Sequence, residues 1–263
     1  MNATTVSPPR AGSRSIAGIP RARLEALNHG EVETATLVEA LAIDFATLLR
    51  ATFPQVSLEA TKSLQAAKDR GITQRMALAG KLMLDHFGPA GYLRLARNRS
   101  DTVRGWAAYL LAASPDFTLG ERLQLIRALA NDHNAGVREW AWLALRPHIA
   151  EGIDHAIDLL EPWTVSTSPF LRRFASEATR PRGVWCRHID TLKREPFLGL
   201  LIIEPLRADP HRYVQDSVAN WLNDAGKSQP QWVRDVCSRW HRESESQSTV
   251  RICRRALRSV SLQ

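Results

Sequence analysis

The sequence predicts an all-α fold, a superhelical α-solenoid of helix pairs. Three observations carry that expectation: a motif that recurs every 34 to 43 residues, apolar spacing that fits one helix face within each copy, and an absence of strand signals. The first three copies are Val103-Arg104-Gly105-Trp106-Ala107, Val137-Arg138-Glu139-Trp140-Ala141 and Leu171-Arg172-Arg173-Phe174-Ala175, spaced 34 residues apart. Val214-Gln215-Asp216-Ser217-Val218 follows after 43 residues and Val250-Arg251-Ile252-Cys253-Arg254 after 36 more.

Each copy opens after residues that turn the chain or cap a helix: Asp101-Thr102, Asn134-Ala135-Gly136, Ser168-Pro169, His211 and Ser248-Thr249. Counted from its first apolar residue, positions 1, 4, 5 and 8 of a copy form one helical stripe, for instance Val137, Trp140, Ala141 and Ala144. Leu171, Phe174, Ala175 and Ala178 repeat it, as do Val214, Ser217, Val218 and Trp221. Amphipathic stretches lie between the copies, at Leu119 to Asn131 and Gly152 to Leu160. No Asn-Gly or Asp-Gly hairpin turn and no sustained alternation occurs. Helix pairs at this period define a HEAT-like array with a long curved binding face.

Residues 1–18, rich in Ser, Thr, Pro and Gly, are expected to form a disordered tail, and 19–263 one uninterrupted repeat domain. The three cysteines, Cys186, Cys237 and Cys253, form no C-x-x-C pair, which fits reduced thiols in a cytoplasmic protein. The longest apolar run, Trp106 to Ala113, is too short for a membrane span. No apolar stretch follows Arg10 and Arg14, so no secretory signal is expected.

Net charge is +8, from 35 basic and 27 acidic residues. Thirty of the basic residues are arginine, whose planar fork suits phosphate, although a GC-rich genome produces the same bias.

Against this basic background three acids stand out. Glu139, Glu177 and Asp224 occupy positions 3, 7 and 11 of their copies. They therefore stand roughly 150°, 110° and 70° from the apolar stripe, a diagonal across successive helices. Two readings fit. The acids either act on a ligand or pair with neighbouring arginines such as Arg173, Arg180 and Arg182. Adjacent helices lie about 8–10 Å apart, so the outer two acids meet only if the array curves.

Trp106, Trp140 and Trp221 fall in the stripe and read as packing residues. Trp185 follows Arg180-Pro181-Arg182-Gly183, where a helix must break, and is placed to stack on a base or face a cation. The eight histidines lack metal-ligand spacing, and no Gly-rich phosphate loop or Gly-x-Ser-x-Gly occurs.

Three stretches together resemble the AlkC branch of the AlkC/AlkD-like bacterial DNA alkylation repair glycosylases. They are Glu139-Trp140 with Leu145-Arg146-Pro147, then Arg172 through Arg182, then Ser217 through Asp224. Leu37 through Phe45 is similar to the same branch, and the resemblance runs from about Ile19 to Trp240. Ser176-Glu177-Ala178-Thr179-Arg180-Pro181-Arg182 and Asn220-Trp221-Leu222-Asn223-Asp224 are its specific parts.

The resemblance implies excision of positively charged N-alkylated bases, 3-methyladenine and for this branch 3-methylcytosine, from double-stranded DNA. It places Glu139, Glu177, Asp224 and Trp185 at active-site positions, with Arg173, Arg182 and Lys227 holding phosphates. It implies a monomer that needs no metal or organic cofactor. Some members carry a further immunoglobulin-like module for which this sequence leaves no room, so that module's DNA contacts are expected to be lost or replaced. The alternative is a non-catalytic HEAT-like DNA-binding protein or protein scaffold.

Overall fold

The computed structural model describes residues 12–260. Among the described residues every regular element is helical. The helices are α1 Arg21–Asn28, α2 Leu37–Ala42, α3 Phe45–Thr52, α4 Leu58–Ala66, α5 Ile72–Phe87, α6 Gly91–Ala96, α7 Asp101–Ala113 and α8 Leu119–Ala130. They continue as α9 Ala135–Glu151, α10 Ile153–Leu160, α11 Pro169–Ala178, α12 Asp190–Arg194, α13 Leu200–Ile203, α14 Arg212–Gly226, α15 Pro230–Glu243 and α16 Gln247–Ala256. The all-α repeat fold is thus as expected, with the five copies of the motif on α7, α9, α11, α14 and α16.

The caps sit close to where the sequence puts them. Ser100 caps α7, Ser168 caps α11, the His211 ring caps α14 and Ser246 caps α16, each accepting from a backbone N–H of the first turn. Asn134 accepts from Gly136 N at 2.8 Å. The caps of α7 and α16 lie just ahead of Asp101-Thr102 and Ser248-Thr249, which are themselves inside the helices. The stripe is buried in the first four copies, from Val103, Trp106 and Ala107 to Val214, Ser217, Val218 and Trp221; in the fifth, Val250 is exposed and the buried face is Thr249, Ile252, Cys253 and Ala256, one residue ahead of the expected frame. Of the expected tail, residues 1–11 lie outside the described residues, and Ile16–Gly18 forms a short 3-10 turn.

No composition shift marks a boundary inside 19–263, yet the chain packs as two compact units. Of the described residues, the first comprises 12–114 and 134–137, the second 115–133 and 138–260. In the first, α7 packs on α5 and α6. The α5–α7 approach depends on Gly80: a Cβ there would stand 2.5 Å from the Cβ of Tyr109 and 2.7 Å from the backbone N of Leu110. Phe45 meets Trp106 edge to face at 5.5 Å. In the second, α14 packs between α11 and α16. There Trp221 is fully buried, donates Nε1 to the carbonyl of Thr179 at 3.0 Å, and presses on Gly199.

Position 2 of the motif does a job that the apolar frame hides. Arg104, Arg138 and Arg172 each turn Nη1 back to two carbonyls of the preceding loop: Asn98 and Arg99, Asp132 and His133, Ser166 and Thr167. Gln215 does the same in the fourth copy, donating Nε2 to the carbonyl of Asp209 at 2.9 Å. Each loop therefore has its backbone acceptors satisfied by the helix it feeds, which fixes the helix start.

Two substitutions test these constraints. Gly80→Ala is expected to cost about 1–3 kcal/mol in urea unfolding, because backbone rather than a flexible side chain must give way. Arg104→Leu takes from the Glu33 carboxylate its 2.6 Å cation and from two loop carbonyls their donor, and is expected to cost about 3 kcal/mol. Arg104→Gln, the residue type used at the equivalent position 215, is expected to recover part of that loss. Equal stability of the Leu and Gln variants would rule out the loop-holding role.

Candidate active site

The three acids singled out by the motif frame sit on three helices of the second unit, α9, α11 and α14. Glu139 stands in the second turn of α9. Trp142, three residues on, donates its indole N–H to Glu139 Oε2 at 2.8 Å. Arg173 on α11 meets Glu139 Oε1 at 2.6 Å, and the hydroxyl of Tyr213, at the start of α14, donates to that oxygen at 3.4 Å.

Arg173 also approaches Glu177 on its own helix, at 3.5 Å. Arg180, just past the end of α11, pairs with Glu177 Oε2 at 3.1 Å and with Asp224 Oδ2 at 2.6 Å. Lys227 closes the row on Asp224 Oδ1 at 3.0 Å. Charges alternate in sequence from Glu139 to Lys227, with an arginine between each pair of carboxylates. The acids do not converge on one atom. The distance that separates them along the diagonal is filled by guanidiniums.

Exposure distinguishes the acids. The side chains of Glu177 and Asp224 are 3% and 5% exposed, that of Glu139 35%. Only the outer end of the row offers a carboxylate to solvent. Burial alone would pull the Arg173 guanidinium down, but Glu177 and Glu139 outweigh it and hold the group above the ordinary arginine value. Arg180 is raised in the same way, with Glu177 and Asp224 overcoming its burial. Burial also pushes the Tyr213 phenol up, against the pull of Arg173, so it stays a hydrogen-bond donor at neutral pH.

Aromatic rings carry the cations around Glu139. Arg138 lies 4.0 Å from the Phe170 centroid and 5.2 Å from that of Tyr213, while Arg173 sits 4.1 Å over Tyr213 from the other helix. Tyr213 and Phe170 meet edge to face at 6.0 Å.

Trp185 occupies the loop after α11, which closes with Ile189 N donating to the carbonyl of Pro181 at 3.0 Å. Its indole is 49% exposed, beside exposed Val184. Its φ of 63° is the one positive value among the described non-glycine residues, a conformation that costs on the order of 1 kcal/mol or more. The loop is tied to α9 by Arg146, whose buried guanidinium donates to the carbonyls of Ala178, Arg180 and Arg187 at 3.0, 2.6 and 3.2 Å. Gly183 is needed there, since a Cβ would fall 1.9 Å from Cys186 Sγ.

The three cations expected at phosphates fall in different settings. Arg173 is engaged by two carboxylates and a ring and is 14% exposed. Arg182 donates to Ser228 Oγ at 2.6 Å and to the carbonyl of Asp224 at 3.3 Å. Lys227 is half exposed on the flank of Asp224.

Trp142 and Tyr213 also belong to the site and escape the motif reading, while Arg138 and Arg146 stand in quoted motifs that gave them no site role. Trp142 was within reach of it, standing three residues after Glu139 on one helix face. Tyr213 was not, because nothing in the sequence says which end of α14 meets α9.

Residues 106–257 match the family described as DNA alkylation repair enzyme. The chain is 39% identical to the protein YhaZ of Bacillus subtilis (strain 168) over 153 residues, 57% of this chain and 41% of that one. Among solved structures it is similar to the alkylpurine DNA glycosylase AlkC of Pseudomonas fluorescens, which was solved bound to DNA containing an abasic site analog. The TM-score is 0.65 at 25% identity, covering 84% of this chain and 62% of that one. AlkD2 of Streptococcus mutans shares the fold, with a TM-score of 0.57 at 22% identity over 83% of this chain and 98% of that one. The chain thus spans less than two thirds of the length of YhaZ and of the P. fluorescens AlkC chain. Because the matched segment takes in more than half of the sequence, and all of Glu139, Glu177, Trp185 and Asp224 lie within it, the chain belongs to the DNA alkylation repair enzyme family.

Proposed function

We propose that this chain is a DNA glycosylase that excises positively charged N-alkylated bases from double-stranded DNA, with Glu139 as the reacting carboxylate. The observation that carries the reading is the state of Glu139: half-exposed, with each oxygen held by a donor on a different helix or turn. A base such as 3-methyladenine or 3-methylcytosine already bears positive charge when alkylated, so it departs neutral without a general acid. The sugar left behind develops oxocarbenium character. A fixed carboxylate beside it stabilises that charge and orients the attacking water, whose proton it accepts.

Glu177 and Asp224 act behind Glu139 in this reading. They hold Arg173 and Arg180, and Arg173 in turn fixes Glu139, so Arg173 positions the carboxylate and Arg182 and Lys227 are left for phosphates. The exposed indole of Trp185, set out from the loop by its left-handed backbone, packs on the cationic lesion or its sugar. Duplex DNA is the partner, taken by a monomer.

One observation favours a second reading, a non-catalytic DNA-binding protein. All three carboxylates have cationic partners already, which weakens the field that any one of them projects.

Methylated duplex DNA separates the two. The wild type is expected to release 3-methyladenine, 3-methylcytosine or both, and Glu139→Gln to slow release roughly 100-fold or more while still binding DNA. A wild type that binds methylated DNA and frees neither base supports the second reading. Glu177→Ala is expected to act on stability instead, lowering it by about 3–5 kcal/mol in urea unfolding because Arg173 and Arg180 stay buried without their shared partner. Trp185→Gly removes the indole and relieves the positive φ, so it should unfold no earlier than the wild type yet release base more slowly. An unchanged rate would exclude Trp185 from the lesion contact.

A further inference from the structure

A cleft of about 580 Å³ opens in the second unit between the N-terminal end of α14 and the length of α16, and four arginines line it: Arg212 from α14 and Arg251, Arg254 and Arg255 from α16. The last three stand at i, i+3 and i+4, one face of the helix. Among the described residues, Asp216 is the one carboxylate paired with this group. It takes Arg251 Nη2 at 2.6 Å and lies 3.2 Å from Arg255 Nε, but the second contact lacks hydrogen-bond geometry and that buried Nε has no acceptor.

Arg212 and Arg254 are exposed, and among the described residues neither meets a carboxylate. The cleft therefore holds an excess of positive charge, carried by the exposed Arg212 and Arg254. Ser248 adds a neutral donor. Its Oγ accepts from Gln215 Nε2 at 2.9 Å, which leaves the hydroxyl proton free to point into the cleft.

Several guanidiniums elsewhere in this unit are matched by a carboxylate of the chain itself, as Arg172 is by Asp209 and Arg239 by Glu204. Four arginines against one carboxylate depart from that pattern, and like charges held this close repel unless an anion joins them. Guanidinium forks are suited to phosphate oxygens, which accept two parallel N–H bonds. The volume exceeds what one small anion fills, and the donors are spread over two helices rather than aimed at one point.

We infer that this cleft binds successive backbone phosphates of nucleic acid, a contact outside the Glu139–Lys227 row and read by charge rather than by base. The inference rests on the proposal that the chain acts on duplex DNA. It gives the second unit a footing on DNA that does not depend on the lesion, so undamaged duplex uses it as well.

The test is the salt dependence of binding to an undamaged duplex, for the wild type and for Arg212→Gln/Arg254→Gln. Neither residue has a protein partner to lose, so folding is preserved. Each phosphate contact contributes about 0.9 to the slope of log K against log salt, so the double variant is expected to lose nearly 2 from that slope. Arg50→Gln/Arg70→Gln, exposed arginines of the first unit, removes the same charge as a control and is expected to leave the slope near the wild-type value.

An unchanged slope in the cleft variant overturns the inference, as does an equal loss in the control. Inorganic phosphate competing at millimolar concentration for these arginines, with DNA binding unaffected, overturns it in favour of a small-anion site. A wild type that fails to bind duplex at all sinks the glycosylase proposal along with the cleft. One that binds and excises with a cleft variant of unaltered slope sinks the cleft alone.

Discussion

Burying a carboxylate costs several kcal/mol unless a cation is buried with it, and the second unit buries two, Glu177 and Asp224, on neighbouring helices. The solution is an alternating row in which Arg173 and Arg180 each serve two acids. Much else about the site depends on it. The row links α9, α11 and α14 through their side chains, limits how far those helices can slide past one another, and holds Glu139 at the one position where a carboxylate reaches solvent. Its members are coupled, so removal of an inner acid and removal of the outer one are different events.

The same row poses the tension in the functional reading. An ion pair at 2.6 Å keeps Glu139 aimed, and also offsets the charge that would stabilise an oxocarbenium-like sugar. Preorganisation favours the arrangement, since a carboxylate already oriented pays no reorganisation when the sugar acquires charge. The stacking of Arg173 on Tyr213 and of Arg138 on Phe170 and Tyr213 serves that end by fixing the cation behind the acid. Trp185 lies on a different support, a loop held by Arg146 through three carbonyls, so the indole and the carboxylate are positioned by separate devices.

Arginine therefore plays several roles in this chain. At position 2 of the motif it satisfies loop carbonyls, in the row it accompanies buried acids, at Arg146 it ties a loop to a helix, and in the α14–α16 cleft it stands in excess. The abundance of arginine in the composition does not separate these uses. What separates them is the local supply of acceptors: carbonyls, carboxylates, or too few of either.

The sequence by itself determined the helical repeat, because apolar residues at positions 1, 4, 5 and 8 are a local property of each copy, and burial of that stripe needs only a neighbouring helix. It also determined that Glu139, Glu177 and Asp224 lie off the stripe, since helical phase follows from residue number, and it left open whether they serve a ligand or pair with arginines. Which cation meets which acid was decided by the tertiary structure. A salt bridge depends on the axial offset between helices 43 or 34 residues apart in sequence, and contacts such as the Trp221 Nε1 bond to the Thr179 carbonyl fix that offset. The division into two units, the partnering of Tyr213 with Glu139, the left-handed backbone at Trp185 and the uncompensated arginines of the cleft belong to the same category. Each depends on what lies across a helix–helix interface or a closed loop, and sequence spacing specifies a residue's face of a helix without specifying what stands opposite.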